Sequence, residues 1–161
     1  MFKRFVDEKG FTLMELLIAV AIVVVLAGVG IPVYLKFQAG AKHSEASTNL
    51  NGIKLSEEGY KLANGVYVDC TASPRATPDE TSLAWADLGT GFTDIGFTTS
   101  AAVRFVYAVS GSTTTSFLAE ARGDTNGDGN YIMFVASQSE GPRLVTAGDA
   151  VTIGADTDTT D

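Results

Sequence analysis

The feature that most constrains this chain is an apolar run near its start, between residues 10 and 35. Residues 16–31 contain no polar side chain, and Glu15 is the one charged residue between Phe11 and Leu35. A hydrocarbon core of about 30 Å requires roughly 20 apolar residues in helical form. Since a backbone in lipid must satisfy its own hydrogen bonds, a single span has to be a helix. The run therefore predicts a membrane-spanning helix.

Two simple interpretations of the run do not account for all of it. A secretory signal peptide has a shorter apolar core, followed by a small-residue cleavage site, whereas here a helical pattern continues through Pro32 to Lys36. A plain anchor explains the hydrophobicity but not Glu15. A carboxylate at the centre of a membrane costs up to about 2.5–3.5 kcal/mol, less near an end, and such residues generally have a partner. We therefore expect Glu15 to have a partner.

The residues around Glu15 combine several signals in one place. A charged leader is followed by Gly10 and Phe11, then by the sequence Thr-Leu-Met-Glu-Leu and the unbroken apolar run. This combination resembles the class III signal of type IV prepilins and pseudopilins. The resemblance in motif covers about a quarter of the chain, and the remainder is similar only in general layout.

The resemblance implies roles for four residues. A prepilin peptidase would cut between Gly10 and Phe11 and methylate the new amino terminus of Phe11. Glu15 matches the glutamate that pairs with the corresponding amine of a neighbouring subunit, and Pro32 matches the proline that kinks the helix. The pairing is physically reasonable because Glu15 lies near the positive end of the helix dipole. The alternative is a solvated glutamate that reaches the membrane interface.

The helix is predicted to extend well beyond the membrane. We divide the chain into a leader (1–10), a membrane and filament-core helix (11–35), an amphipathic continuation (36–64) and a globular head (65–161). Helical spacing in the continuation predicts one buried apolar stripe, with the charged residues mostly elsewhere. The stripe consists of Ala39, Ala46, Leu50, Ile53 and Tyr60, and the charged set is Lys36, Lys42, Lys54, Glu57, Glu58 and Lys61. Two glycines and a proline predict a kink, or a turn that melts in the filament, near residues 27–31, and Asn64-Gly65 predicts the helix end.

The head is predicted to be an antiparallel meander with one face on the helix, which makes the fold class α+β. Residues 66–82 are expected to form a connecting loop, and residues 83–88 a short helical turn that Trp85 anchors to the core. Alternating apolar residues separated by turn residues predict strands at 103–109, 115–122, 130–137 and 142–146. The Asp- and Thr-rich tail at 154–161 is expected to fray.

Composition excludes several kinds of function. A net charge of −8 is a poor match for nucleic acid. A single cysteine, Cys70, excludes an intrachain disulfide and predicts a plain buried or loop thiol. The one histidine, His43, is predicted to be a solvated helical residue. Since no nucleophile, base or metal-ligand cluster is evident, we do not expect an enzyme.

One loop has the composition of a cation site. Asp124, Asn126 and Asp128 place oxygen side chains at alternate positions and are followed by glycine, as in the first half of an EF-hand loop. The second half fails, because Val135 stands where the bidentate glutamate is needed. Calcium is therefore one hypothesis, with backbone oxygens or Asp149 completing the site, and a glycine-rich hairpin turn is the other. No other cofactor is predicted.

The resemblance implies a structural subunit of a type IV pilus, a homopolymer used for twitching motility, adhesion or DNA uptake. Its partners would be the prepilin peptidase, the pilus assembly platform, the outer-membrane secretin and membrane lipid. Basic residues before the span (Lys3, Arg4 and Lys9) favour a cytoplasmic amino terminus in the inner membrane before assembly. The alternatives are a pseudopilin of a type II secretion system and a membrane-tethered binding domain.

Overall fold

The computed structural model describes residues 10–125, 127 and 129–145. One helix, α1 (Leu13–Asn64), precedes five strands: β1 (Cys70–Ser73), β2 (Val106–Ser110), β3 (Leu118–Gly123), β4 (Ile132–Ser137) and β5 (Arg143–Leu144). The strands form one sheet in the order β1-β2-β3-β4-β5, and every neighbouring pair is antiparallel. This confirms the predicted α+β fold class. The chain divides into two compact units, Met1–Ala39 and Gly40–Asp161.

The part of α1 in the first unit is one uninterrupted α-helix. It continues through Gly28 and Gly30, and Pro32 lies inside it. A proline removes a single backbone hydrogen bond, and the bonds of the turns on either side can hold the helix together. The single chain has no melted turn here, and the predicted kink, or melting in the assembled filament, stays a prediction.

The part of α1 in the second unit packs against the sheet along a narrow stripe. Ala46, Leu50 and Ile53 are fully buried, as the helical spacing predicts, and Tyr60 is partly buried against the same core. The next position in this stripe is Glu57, which is also 0% exposed. Placing Glu57 with the outward-facing charges was therefore wrong. Its spacing from Ile53 is that of the stripe, but its polar side chain conceals it from a pattern based on hydrophobicity.

The end of α1 agrees with its predicted stop signal. Asn64 is the last helical residue, and Gly65 follows with a φ of 81°. The Gly65 N–H donates to the Lys61 carbonyl at 2.7 Å, and the Asn64 amide donates to the Tyr60 carbonyl at 3.0 Å. The first bond satisfies the Lys61 carbonyl, which is one of the last four that the end of a helix leaves without a helical partner.

Four of the five strands correspond to the predicted ones but are shorter, and β2 and β3 each end one residue beyond the predicted bound. The first strand, β1, was missed because it lies within the predicted loop at 66–82 and is only four residues long. The helical turn predicted at 83–88 was wrong. Leu83 instead forms a β-bridge with Val103, in which each N–H donates to the other carbonyl at 2.8 Å. That pairing holds the backbone extended at Leu83.

The segment after Leu83 nevertheless anchors itself through Trp85, as predicted. The indole contacts Phe92 and Phe97 edge to face, with ring centroids 5.1 and 5.2 Å apart. Such contacts add to the free energy gained by burying the rings. The core of the head therefore contains aromatic residues from the long connection between β1 and β2 as well as from the sheet and α1.

Candidate functional site

The start of α1 is closed by a reciprocal set of hydrogen bonds. The Thr12 backbone N–H and the Thr12 hydroxyl both donate to Glu15 Oε2 at 2.9 Å. The Glu15 N–H donates to Thr12 Oγ1 at 3.2 Å. This is a capping box, in which a threonine before the first helical residue and a glutamate three residues later satisfy each other's amides. In this structure the partner of Glu15 is thus Thr12.

Sequence reasoning treated Thr12 only as part of a motif and gave it no role of its own. The Thr-x-x-Glu spacing before an apolar run is a known signal for a helix start and could have identified it. Of the predicted processing residues, Gly10 is exposed and Phe11 is 86% exposed. Pro32 lies inside the helix and is exposed. Neither Phe11 nor Pro32 forms a hydrogen bond with the Glu15 side chain. The carboxylate of Glu15 accepts hydrogen bonds from Thr12 instead.

The first part of α1 has an apolar surface that its own chain does not cover. Its most apolar window has a mean hydropathy of 3.0 and is 0% buried. The helix is long and apolar enough to cross a membrane, judged by length and composition. Leu13, Val25 and Phe37 are 88, 69 and 75% exposed. Because exposed apolar patches of this size mark membrane or protein contacts, this surface needs an apolar environment from outside the chain.

A second carboxylate of α1 lies in the opposite setting. Glu57 is completely buried, and its Oε2 accepts a hydrogen bond from the Val68 N–H at 3.1 Å. The Cys70 thiol donates to Glu57 Oε1 at 3.7 Å. Burial raises the pKa of Glu57 more than these two bonds lower it. Glu57 thereby ties the chain entering β1 to the helix.

Cys70 is a free, buried thiol, as predicted. Burial raises its pKa first, and the neighbouring Glu57 carboxylate raises it further. Because the thiolate is the reactive form, this thiol is held in its unreactive state. The predicted solvated position of His43 was wrong: its ring contacts Phe134 edge to face at 5.4 Å, and its Nε2 is buried.

The loop proposed for calcium is described only in part, since Asn126 and Asp128 lie outside the described residues, as does Asp149. The Asp124 carboxylate accepts hydrogen bonds from the Gly127 N–H at 2.6 Å and the Gly129 N–H at 3.1 Å. Both glycines have a positive φ, which an Asp-Gly turn requires. Within the described residues, no group of three or more His, Cys, Asp or Glu side chains is placed to hold a metal. Calcium stays a prediction.

Comparison with known proteins points to the start of the chain. A family model, the prokaryotic N-terminal methylation motif, matches residues 7–31. A type IV major pilin of Myxococcus xanthus is 44% identical over 62 residues, which are 38% of this chain and 28% of that protein. A major pilin of Neisseria gonorrhoeae is 39% identical over 71 residues, 44% of this chain and 33% of that protein. A fimbrial protein of Moraxella nonliquefaciens is 47% identical over 49 residues, 30% and 32% of the two chains.

The matched stretches thus span about a third of the length of these relatives. The motif defines a class: the chain carries the prokaryotic N-terminal methylation signal over residues 7–31. The motif and the pilin relatives together support the more specific identification as a type IV pilin precursor, as the sequence predicts.

Proposed function

We propose that this chain is the structural subunit of a type IV pilus. The observation that carries the proposal is the first part of α1, whose apolar side chains find no cover in their own chain. Lipid supplies that cover before assembly, and the helices of other subunits supply it in the filament. The role is mechanical rather than catalytic, and the filament serves motility, adhesion or DNA uptake.

Processing precedes assembly. A prepilin peptidase cuts between Gly10 and Phe11 and methylates Phe11, with the amino terminus on the cytoplasmic side of the inner membrane. The support for this is the methylation motif over residues 7–31 and the exposure of both residues. The assembly platform and the outer-membrane secretin then act on the mature subunit. The pilin names of the relatives give no reason to prefer a secretion pseudopilin.

Glu15 gives each incoming subunit its register. In the filament, the carboxylate of Glu15 gives up its hydrogen bonds with Thr12 and pairs with the methylated amine of Phe11 on a neighbouring subunit. In a low-dielectric environment an unpaired charge is costly, so subunits seated at any other height are disfavoured. Pro32 allows the helix to adapt where neighbouring subunits require it.

The decisive variant is Glu15→Gln. Glutamine can replace glutamate in a capping box, so the variant keeps the bonds with Thr12 and removes only the charge. We expect it to be cut and methylated normally, as mass spectrometry of the amino terminus would show, and to be depleted at least tenfold from filaments formed with wild-type subunits. A matched control is Glu58→Gln in the second unit, which should enter filaments normally. Equal incorporation of Glu15→Gln and wild type would refute the pairing.

A further inference from the structure

The head contains an open groove that plays no part in the proposed assembly. It has a volume of about 400 Å³, and its lining includes Trp85, Asp87, Thr93 and Phe97. Two of these side chains are aromatic, one is a carboxylate and one is a hydroxyl. A concave site that combines aromatic walls with a few polar groups has the usual composition of a small-ligand site.

The aromatic side of the groove is rigid. Trp85 is half-buried, and its ring is held at 84° to Phe97 and 80° to Phe92. A third ring, that of Tyr107, lies 6.1 Å from it and is fully buried. Since these contacts fix the indole, the part of Trp85 that lines the groove is preformed rather than mobile.

The carboxylate in the groove is fixed and charged. Asp87 Oδ2 accepts hydrogen bonds from the Thr93 N–H at 2.9 Å and the Thr93 hydroxyl at 2.8 Å, and Oδ1 accepts one from the Gly89 N–H at 3.3 Å. Partial burial acts to raise the pKa of Asp87, but the hydrogen bonds outweigh it and lower that pKa. The ion pairs among the described residues use other carboxylates, namely Asp79, Glu120 and Glu140.

We propose that this groove binds a cationic amine, with its ammonium group between the Asp87 carboxylate and the Trp85 ring and its alkyl chain along Phe97. An aromatic face attracts a cation within about 6 Å of its centroid, and tryptophan does so most strongly. An ammonium is a compact point charge, so it does not require the two free oxygens that a planar guanidinium would use. The net charge of −8 adds a favourable long-range field.

An ammonium group on an alkyl chain has two sources, a lysine side chain of another protein and a free alkylamine. The test uses the full-length chain in detergent micelles and the fluorescence of Trp85, which is the one tryptophan in the sequence. The probes are N-acetyl-lysine amide, butylammonium and, as the neutral match, N-acetyl-norleucine amide. We expect saturable changes with both cations and none with norleucine. Tighter binding of the lysine amide identifies a peptide source, and equal binding identifies a free amine.

The variant Asp87→Asn should weaken binding of the cation about tenfold or more, equivalent to about 1.4 kcal/mol or more. Asp94→Asn is the control, since Asp94 is exposed and is not among the residues that line the groove. If Asp87→Asn disturbs the loop, the test uses the wild-type chain at increasing salt concentration instead. Binding of the cation should weaken, because ionic strength screens an exposed charge contact. An equal response to norleucine amide, a preference for a neutral methyl glycoside, or no saturable response would overturn the proposal.

Discussion

The two parts of α1 share one backbone conformation but have opposite relations to their own chain. In the first unit, the large apolar side chains of the helix are exposed, with Leu26 at 67% and Val29 at 68%. In the second unit, Leu50 and Ile53 are completely buried. The difference shows that an apolar helical pattern fixes the helix but not its environment. The first part finds no burial within its own chain, and the second finds it in the sheet.

The two glutamates that matter most sharpen this contrast. Glu15 is exposed and closes the helix start through Thr12, whereas Glu57 is buried and holds a strand.

The outward face of the second part is also unusual, because its exposed positions carry no charge. These positions are Gly40, Ala41, Ser44, Thr48, Asn51, Leu55, Gly59, Leu62, Ala63 and Asn64.

The largest expected effect comes from removing a core contact of the second part. Leu50→Ala leaves a cavity between the helix and the sheet, and such substitutions cost about 2–5 kcal/mol. Urea unfolding of the full-length chain in detergent, followed by Trp85 fluorescence, measures the loss. Leu55→Ala is the matched control, because Leu55 is 73% exposed and should change stability by less than about 0.5 kcal/mol. Equal losses would show that the head does not pack as described.

The next effect concerns the buried carboxylate. Because burial raises the pKa of Glu57 above its unfolded value, the folded state holds the proton more tightly. This contribution to stability is complete below the unfolded pKa of about 4.3 and is lost as the pH rises through the folded pKa. Glu57→Gln should therefore reduce the gain in stability on acidification from neutral pH. Burial raises the pKa of Glu120 as well, so the comparison between variants isolates Glu57. An unchanged pH dependence would contradict the assignment. Asp94→Asn serves as the control, because Asp94 is an exposed carboxylate that does not contribute to the raised pKa of Glu57.

A smaller effect is expected at the capped start of the first part. Thr12→Ala removes the hydroxyl that accepts from the Glu15 N–H, and loss of a cap costs about 0.5–2 kcal/mol. Hydrogen exchange in detergent should show faster exchange of the amides in the first turn, with the head unaffected. Thr48→Ala, at an exposed position within the helix, should leave the first turn unchanged. Equally slow exchange in Thr12→Ala would mean that the capping box does not form in the membrane environment.

The smallest effect distinguishes the outward and inward faces of the second part. Gly59 is exposed with open space around it, so Gly59→Ala should stabilise the helix by about 0.5–1 kcal/mol. A Cβ at Gly52 would lie 3.0 Å from Phe97 Cε2, so Gly52→Ala should gain less or lose stability. Thermal unfolding of the two variants measures the difference. The same gain in both would show that the helix is not seated against Phe97.

The sequence predicts best what repeats along the chain. Helical spacing identified Ala46, Leu50 and Ile53 as core residues, and alternation located four strands. It failed where burial depends on a single tertiary contact. Glu57 is buried because the Val68 N–H meets it, and β1 exists because β2 pairs with it. The groove at Trp85 arises from a loop whose path depends on the bonds that Asp87 accepts, and no periodic pattern encodes such a path.

The position at which α1 begins has a consequence for the proposed cut between Gly10 and Phe11. At the start of α1, the Leu16 N–H donates a hydrogen bond to the Thr12 carbonyl. The peptide bond between Gly10 and Phe11 therefore precedes the helix. A peptidase can bind that peptide in an extended conformation without unwinding the first turn of α1. Under the proposed function, hydrolysis there leaves α1 intact, and the shortened subunit needs no refolding before it assembles.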